Sequence, residues 1–288
     1  MRAKFNFIGL LLYVAIITTI VLPIEAKGNH IDDLQSQNCR SKDSLVLVDF
    51  YNNTFGDNWI RQWDLNSPMD TWYGITLNEN GCVECIDLDG EEGCSISVSF
   101  GNDVTGNIPA KLGELQNLKM ICLGNNRITG SLPSSLFNLP LLENLDLFGN
   151  EMIGPLPANL GNAQSLKVLS LAGNNFIGTL PASIGDLKVL SELFLSSNQL
   201  IGPLPSRIGE SIGLTKIRIH NNRIDGTIPK EIGDLSELVN LNLAENLLTG
   251  EIPTEFGQLL KLTDLILADN QLSSEIPDEL GNLSLIHI

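Results

Sequence analysis

A 24-residue period runs through most of the chain and restricts it to folds that stack one small unit. Leucine or isoleucine recurs at this spacing from Leu118 to Ile286, and asparagine recurs in step from Asn102 to Asn270. Each unit follows the pattern LxxLxLxxNxLxGx(I/L)PxxLGxLxx, which is clearest in LVNLNLAENLLTGEIPTEFGQLLK at residues 238–261. A period of this length is typical of a solenoid, in which each unit buries its apolar face against its neighbours.

This pattern resembles the leucine-rich repeat family, and its G-x-(I/L)-P element resembles the plant-specific subclass found in receptor-like kinase ectodomains and polygalacturonase inhibitors. The resemblance covers residues 94–285, about eight repeats. It implies a right-handed, curved α/β solenoid with a parallel sheet of LxxLxL strands on the concave side and short helical turns on the convex side. A strand spacing of about 4.8 Å gives this sheet a length on the order of 35–40 Å. We expect each asparagine to satisfy backbone groups in the turn after a strand, because a buried unpaired amide is costly.

The N-terminal 26 residues are predicted to be a secretory signal peptide. Arg2 and Lys4 precede an apolar run at residues 8–22, and the small residue Ala26 marks the cleavage site. An uncleaved signal anchor is the alternative, because the run approaches the roughly 17 residues needed to span a bilayer. The mature chain is therefore expected to be secreted or to lie on the extracellular side of the plasma membrane, without contacting the membrane itself.

Charge disfavours two classes of partner. The 288 residues include 34 acidic and 17 basic side chains, which gives a formal net charge of −17. Such a surface repels phosphate backbones, so we expect no nucleic-acid partner and no polybasic contact with a membrane. Any anionic ligand requires a local basic patch.

Residues 27–93 are predicted to form an N-terminal capping region. Ser41 is expected to N-cap a helix that carries Leu45, Val48 and Tyr51. The three tryptophans of this region are expected to cover the end of the repeat core; they are Trp59, Trp63 and Trp72.

Five cysteines lie in the first 122 residues. In an oxidising compartment we expect disulfides among Cys39, Cys82, Cys85 and Cys94, with one thiol left over. Cys122 either pairs with a cap cysteine or is the odd thiol. The CVEC segment at residues 82–85 has metal or redox spacing, but in a strand its two thiols point to opposite faces, so we expect no metal site.

The repeat is irregular at both of its ends. In DGEEGCSISVSFGND, residues 89–103, the apolar residues are out of phase with the later strands, and a bulge or an extra hairpin is expected there. Residues 286–288 are predicted to begin a ninth repeat that is cut short. Asn52 in NNT and Asn282 in NLS match the N-glycosylation pattern.

The strand pattern predicts which side chains face the concave side. Repeat positions 3, 5, 7 and 8 are expected to be open, whereas positions 1, 4 and 6 are expected to be buried. Outward residues that the fold does not require are the candidate ligand-binding residues: Phe148, Glu192, Phe194, Lys216, Arg218, His220 and Ile266.

Two interpretations of the basic stripe at residues 216–220 are open at this point. Lys216 and Arg218 can form a fork for a carboxylate or sulfate, with Phe194 as its apolar floor. The resemblance supports this interpretation, because related peptide receptors use paired concave cations for such a purpose. Alternatively, Lys216 pairs with Glu192 and Arg218 stacks on Phe194 as ordinary surface contacts.

The sequence therefore predicts an extracellular recognition module that binds a protein, peptide or glycan without catalysis or cofactor, with a co-receptor as a further possible partner. The alternative is an ectodomain fragment of a leucine-rich repeat receptor-like serine/threonine kinase whose transmembrane and kinase parts are missing, since the chain contains no kinase motif. A glycosidase using a carboxylate pair such as Asp264 and Asp269 is the weakest alternative, because acidic residues are abundant enough to lie close together by chance.

Overall fold

Short parallel strands, one per repeat, form the spine of the molecule. The structure is a computed structural model that describes residues 29–89 and 101–283. The predicted signal peptide, Cys94 and the incomplete ninth repeat lie outside the described residues. In the described part, nine strands form one concave sheet, and they are Ile75–Leu77, Val83–Asp87, Met120–Cys122, Asn144–Asp146, Val168–Ser170, Glu192–Phe194, Lys216–Arg218, Asn240–Asn242 and Asp264–Ile266.

The register of the concave sheet follows the sequence period. From Met120 onward every strand pairs in parallel with the strand one repeat away, so that Glu192, Lys216 and Asn240 lie side by side. Leucines and isoleucines at positions 1, 4 and 6 of each repeat are buried, as the pattern predicts; Leu166, Leu169 and Leu171 have no exposed surface. The fold is therefore the predicted α/β solenoid with its parallel sheet.

A second row of strands follows the turn after each concave strand. These lateral strands are Thr105–Asn107, Arg127–Thr129, Ile153–Pro155, Asn175–Gly178, Gln199–Pro203, Arg223–Asp225, Thr249–Gly250 and Gln271–Leu272. A proline then precedes a short 3-10 helix in most repeats, because its fixed φ suits a turn start whereas its missing N–H does not suit a strand interior. The 3-10 helices described are Gly56–Asn58, Met69–Thr71, Ala110–Glu114, Ser134–Asn138, Leu160–Asn162, Ala182–Asp186, Ser206–Glu210, Lys230–Asp234, Thr254–Gln258 and Asp278–Asn282.

The recurring asparagine joins consecutive repeats, as predicted. Asn174 is 6% exposed, and its Nδ2 donates to the carbonyl oxygens of Leu147, Leu171 and Ala172 at 2.9, 3.1 and 3.4 Å. Its Oδ1 accepts the Met152 N–H at 3.0 Å. Each such amide satisfies backbone groups of its own repeat and of the preceding one, so the asparagine ladder holds the stack together.

The capping helix differs from the prediction. It spans Asn29–Asn53, so Ser41 lies inside it and not at its N-cap. The buried face carries Val46, Leu47, Phe50 and Tyr51, whereas Leu45 is 62% exposed. The prediction was wrong because Leu45 is one position out of phase with the i, i+3, i+4 stripe that begins at the buried Asp43. No helix among the described residues is long and apolar enough to cross a membrane.

The tryptophans cover the end of the core as predicted. Trp59, Trp63 and Trp72 are each at most 5% exposed. The rings of Trp63 and Trp72 stack with centroids 5.0 Å apart, and Tyr51 of the helix stacks on Trp63 at 5.6 Å. This aromatic cluster fixes the helix against the first repeats.

The first concave strand lies in a different segment from the one that the 24-residue period predicts. In the concave sheet, Cys85 lies beside Met120 on the neighbouring strand. The two residues are 35 positions apart in the sequence, which exceeds the 24-residue period by 11. The strand Val83–Asp87 therefore takes the place expected for residues 96–98, and it also forms an antiparallel hairpin with Ile75–Leu77. Residues 90–100, which lie outside the described residues, match the 11-residue excess in length.

Two glycines of this hairpin region give a matched stability test. Both have left-handed backbone angles, with φ of +75° at Gly74 and +73° at Gly81. A Cβ at Gly74 would overlap the carbonyl oxygen of Asp87, whereas at Gly81 the nearest atom, Arg40 Cδ, is 3.8 Å away. We expect Gly81→Ala to cost about 1–2 kcal/mol from the backbone angle alone. Gly74→Ala is expected to cost roughly 3 kcal/mol or more in urea unfolding, because the overlap adds to that cost; equal costs would contradict the described hairpin.

Candidate functional site

A shallow depression lies on the concave sheet, where four consecutive repeats meet. Its volume is about 520 Å³. The residues that line it come from the strands beginning at residues 144, 168, 192 and 216 and from the turns that follow them: Phe148, Ser170, Ala172, Gly173, Glu192, Phe194, Ser196, Ser197, Lys216, Arg218 and His220. This size falls within the roughly 300–1,000 Å³ usual for ligand pockets.

The structure brings most of the predicted ligand-binding residues together. Six of the seven line this depression, namely Phe148, Glu192, Phe194, Lys216, Arg218 and His220. Ile266 does not. It is 36% exposed and lies on the concave face two strands beyond Arg218, with Asn242 between them.

Both contacts of the ordinary-surface interpretation are present in the basic stripe. Lys216 Nζ lies 2.8 Å from Glu192 Oε1, and the guanidinium carbon of Arg218 lies 5.5 Å from the centroid of the Phe194 ring. Arg218 Nε donates to Asn240 Oδ1 at 3.2 Å. Lys216 is therefore paired with Glu192, and Arg218 is the member of the predicted fork that has no ion pair among the described residues.

Arg218 remains available to a ligand. Its side chain is exposed, and within the described part of the chain it forms no ion pair and no hydrogen bond through its two terminal nitrogens. The Phe194 ring and Asn240 hold the guanidinium in place. A planar guanidinium oriented in this way suits a carboxylate, which can accept two parallel hydrogen bonds.

Several side chains at repeat position 5, predicted to be open, are buried: Cys122, Asp146, Ser170 and Phe194. Three of the four have a local reason. Asp146 turns back to accept the Phe148 N–H at 2.9 Å, Phe194 lies under Arg218, and Cys122 is disulfide-bonded. Burial raises the pKa of Asp146, and hydrogen bonds from Phe148 and Ser170 partly oppose this effect.

Among the described residues, Nδ1 of His220 has no hydrogen-bond partner. Burial lowers the pKa of His220, the Glu245 carboxylate opposes this shift and the Arg218 cation adds to it, so the imidazole is neutral at pH 7. Ser196, which lies on the neighbouring repeat, donates its hydroxyl to the carbonyl oxygen of Arg218 at 3.2 Å. Of the weak glycosidase pair, Asp264 accepts the Thr263 hydroxyl at 2.7 Å on its strand, whereas Asp269 lies beyond the strand at φ +55°.

Sequence reasoning missed the small residues of the floor. Ala172 and Gly173 lie in the turn after the strand Val168–Ser170, and Gly173 has a φ of +67°. A Cβ on Gly173 would lie 3.6 Å from Cε2 of Phe148, so the Phe148 ring extends across this repeat. The sequence contains a signal for this floor. Among the repeats between residues 118 and 270, Ala-Gly is the pair with the smallest side chains at repeat positions 7 and 8.

The cysteines correct one further prediction. Cys39 and Cys82 form a disulfide, whereas Cys85, also predicted to be a disulfide candidate, is free. Burial, with the nearby carboxylates of Asp87, Asp89 and Glu84, raises the pKa of Cys85 to about 12, which keeps its thiol protonated. Because Cys82 is in the disulfide, the CVEC pair cannot share a metal ion. Asn52 and Asn282, the predicted glycosylation sites, are both exposed.

Comparison with known proteins identifies the family of this chain. A leucine-rich repeat model matches residues 212–272, and a second one matches residues 117–139 and 165–187. The chain is a leucine-rich repeat protein. It resembles the ectodomains of plant receptor kinases. No curated protein matches the sequence.

Solved leucine-rich repeat structures share the fold. The plant peptide hormone receptor RGFR1, in complex with RGF2, is 34% identical over 65% of this chain and 30% of the receptor chain, with a TM-score of 0.64. The leucine-rich repeat ectodomain of the Arabidopsis thaliana receptor kinase GASSHO1/SCHENGEN3, in complex with CASPARIAN STRIP INTEGRITY FACTOR 2, is 31% identical over 85% of this chain and 32% of that chain, with a TM-score of 0.67. This chain therefore spans about a third of the length of these two proteins.

A plant ice-binding protein has a similar fold. It is 22% identical over 86% of this chain and 84% of its own, with a TM-score of 0.71. At this identity the likeness concerns the fold alone.

Proposed function

We propose that this leucine-rich repeat chain is a non-catalytic, extracellular recognition module that binds a peptide in the concave depression. The depression itself is the observation that carries the proposal. It places an exposed guanidinium beside two aromatic side chains, none of which the repeat requires for folding.

Arg218 is proposed to bind a carboxylate of the peptide. Its exposed terminal nitrogens can donate two hydrogen bonds, and Phe194 and Asn240 already restrict the side chain, which lowers the entropy lost on binding. Lys216 is proposed to be secondary, because Glu192 holds it at 2.8 Å. The overall charge of −17 disfavours an anion over most of the surface, so a carboxylate requires a local cation such as Arg218.

The solved relatives support a peptide as the class of ligand. The RGFR1 and GASSHO1/SCHENGEN3 structures hold RGF2 and CASPARIAN STRIP INTEGRITY FACTOR 2 respectively. The concave sheet of this chain offers an extended peptide an open surface on the order of 35 Å long.

Binding of synthetic peptides to single-residue variants tests this proposal. A panel that includes RGF2 and CASPARIAN STRIP INTEGRITY FACTOR 2, measured by isothermal titration calorimetry, is expected to contain at least one saturable ligand. Arg218→Ala is expected to weaken that ligand by about 10- to 100-fold, which corresponds to one or two lost charge-assisted hydrogen bonds. Phe194→Ala is expected to weaken it by about 10-fold, because the floor under the guanidinium is lost.

Arg223→Ala is the matched control. Arg223 is an exposed arginine five residues from Arg218, but it lies on the lateral strand Arg223–Asp225 and not in the depression. Its replacement is expected to change affinity by less than about 2-fold. Equal affinity of the wild-type protein, Arg218→Ala and Phe194→Ala would show that the depression is not the binding site.

The second candidate function is the ligand-binding part of a receptor-like kinase. Its support is the identity of 31–34% to the two receptors above. Sequencing the full-length transcript tests it: a reading frame that encodes a membrane-spanning segment and a kinase domain supports the receptor, and a stop codon after a short C-terminal cap contradicts it.

A further inference from the structure

The apolar half of the depression is distinct from the part around Arg218. Phe148 and Phe194 lie on either side of the repeat that carries Ala172 and Gly173. Phe148 is half-buried, and its ring reaches across to Gly173, where a Cβ would lie 3.6 Å from Cε2. Phe194 lies under the guanidinium on the opposite side.

Ala172 and Gly173 place nothing larger than a methyl group between the rings at repeat positions 7 and 8, and Ser170 of the same repeat adds one hydroxyl to the lining. The equivalent pairs in the repeats on either side all carry a larger or polar side chain: Phe148 and Gly149, Ser196 and Ser197, and His220 and Asn221. Gly173 has a φ of +67°, so a glycine is favoured there, but nothing in the backbone requires alanine at position 172. The opening is therefore a property of this repeat and not of the repeat pattern.

We infer that this opening takes a bulky apolar side chain of the same peptide whose carboxylate binds Arg218. This inference rests on the function proposed above and names the ligand class. Aromatic and large aliphatic side chains gain most from such a site, because the two rings and the Ala172 methyl group remove their apolar surface from water.

The geometry also sets the spacing of the two groups. Ala172 and Arg218 lie two repeats apart on the sheet, with the strand Glu192–Phe194 between them. At about 4.8 Å per strand this separation is roughly 10 Å. An extended peptide advances about 3.3 Å per residue and presents alternate side chains to one face. An aspartate or glutamate side chain is therefore expected two or four positions from the apolar residue, and a terminal carboxylate two to four positions from it.

A positional-scanning library of N-acetylated hexapeptides tests the inference. The library is made with free and with amidated C-termini, which distinguishes a terminal carboxylate from an aspartate or glutamate side chain. The wild-type chain is expected to prefer Phe, Tyr, Trp or Leu over Gly by at least 10-fold at one position, with a carboxylate two to four positions away. Ala172→Phe, which fills the opening, is expected to reduce the apolar preference to less than 2-fold while the preference for the carboxylate remains.

Matched variants separate the two sites. Ala268→Phe makes the same change at the same repeat position, outside the depression, and is expected to keep both preferences. Arg218→Ala is expected to lose the preference for the carboxylate and to keep the apolar preference. Phe148→Ala removes one wall without filling the opening and is expected to reduce the apolar preference too, so the inference does not depend on one variant.

Each contrary outcome has its own meaning. A carboxylate preference that Arg218→Ala abolishes, without an apolar preference in the wild-type chain, would overturn this inference and leave the proposed function in place. An apolar preference that neither Ala172→Phe nor Phe148→Ala changes would also overturn this inference and leave the proposed function in place. Absence of binding by every peptide of the library and of the panel would overturn the proposed function and this inference with it.

Discussion

Replacement of Asn174 by alanine is expected to lower the free energy of unfolding by about 3–5 kcal/mol. The Asn174 amide is 6% exposed, donates to three carbonyl oxygens and accepts one backbone N–H. Alanine leaves the Met152 N–H without its partner, which costs about 1–3 kcal/mol, and removes one of the two hydrogen bonds that each carbonyl oxygen accepts, at about 0.5–1 kcal/mol each. The groups belong to two adjacent repeats, so the loss weakens the contact between repeats as well as one turn. Urea unfolding followed by circular dichroism measures the effect.

Asn175→Ala is the matched control for this prediction. Asn175 is the next residue and the same amino acid, but it is exposed, and its Oδ1 accepts only a 3.4 Å hydrogen bond from Gln199 Nε2. We expect a change within about 0.5 kcal/mol. A loss of less than about 1 kcal/mol in Asn174→Ala would mean that the asparagine ladder does not hold the repeats together.

Removal of the Cys39–Cys82 disulfide is the second large effect. The disulfide joins the capping helix to the residue that precedes the first long concave strand, across a sequence separation of 43. In the chain-entropy model a loop of this length gives about 4 kcal/mol of stability at 25 °C. The double variant Cys39→Ser/Cys82→Ser is expected to lose about that amount in urea unfolding under non-reducing conditions.

The free cysteine supplies the control. Cys85 is partly buried and has no disulfide, so Cys85→Ser changes a thiol to a hydroxyl without opening a loop. It is expected to cost less than about 1 kcal/mol. If the double variant and Cys85→Ser lost the same small amount, the cap would not depend on the disulfide.

Much of the fold could be predicted because the sequence shows each repeat position several times. The same spacing recurs at Leu118, Leu142 and Leu166 and onward, so an error in one repeat is corrected by the others. The asparagine ladder was predictable for the same reason, since a buried amide at a fixed position has few possible partners other than the turn beside it.

The first repeat could not be predicted from the period, because it departs from the period. Cys85 pairs with Met120 across 35 residues, and the apolar residues Ile96 and Val98 offered a competing strand at the expected distance. Pattern alone does not decide between two apolar segments when an insertion separates them. The phase of the capping helix failed for a similar reason, because Leu45 and Val46 are equally apolar and tertiary contacts decide which is buried.

The candidate site was predictable in its residues but not in its chemistry. Side-chain direction in a strand follows from alternation, and it placed Glu192, Phe194, Lys216 and Arg218 on one surface. It could not show that Glu192 pairs with Lys216 in this structure, because that contact depends on which rotamers two long side chains adopt. The depression over Ala172 also depends on where the Phe148 ring lies, and a one-dimensional pattern does not contain this information.

A crystal structure of the chain with the tightest-binding peptide from the panel or the library tests the central claim most directly. We expect a carboxylate oxygen of the peptide at about 2.7–3.2 Å from a terminal nitrogen of Arg218, and a bulky apolar side chain over Ala172 between Phe148 and Phe194. A peptide bound on the lateral strands or on the convex 3-10 helices would contradict the account.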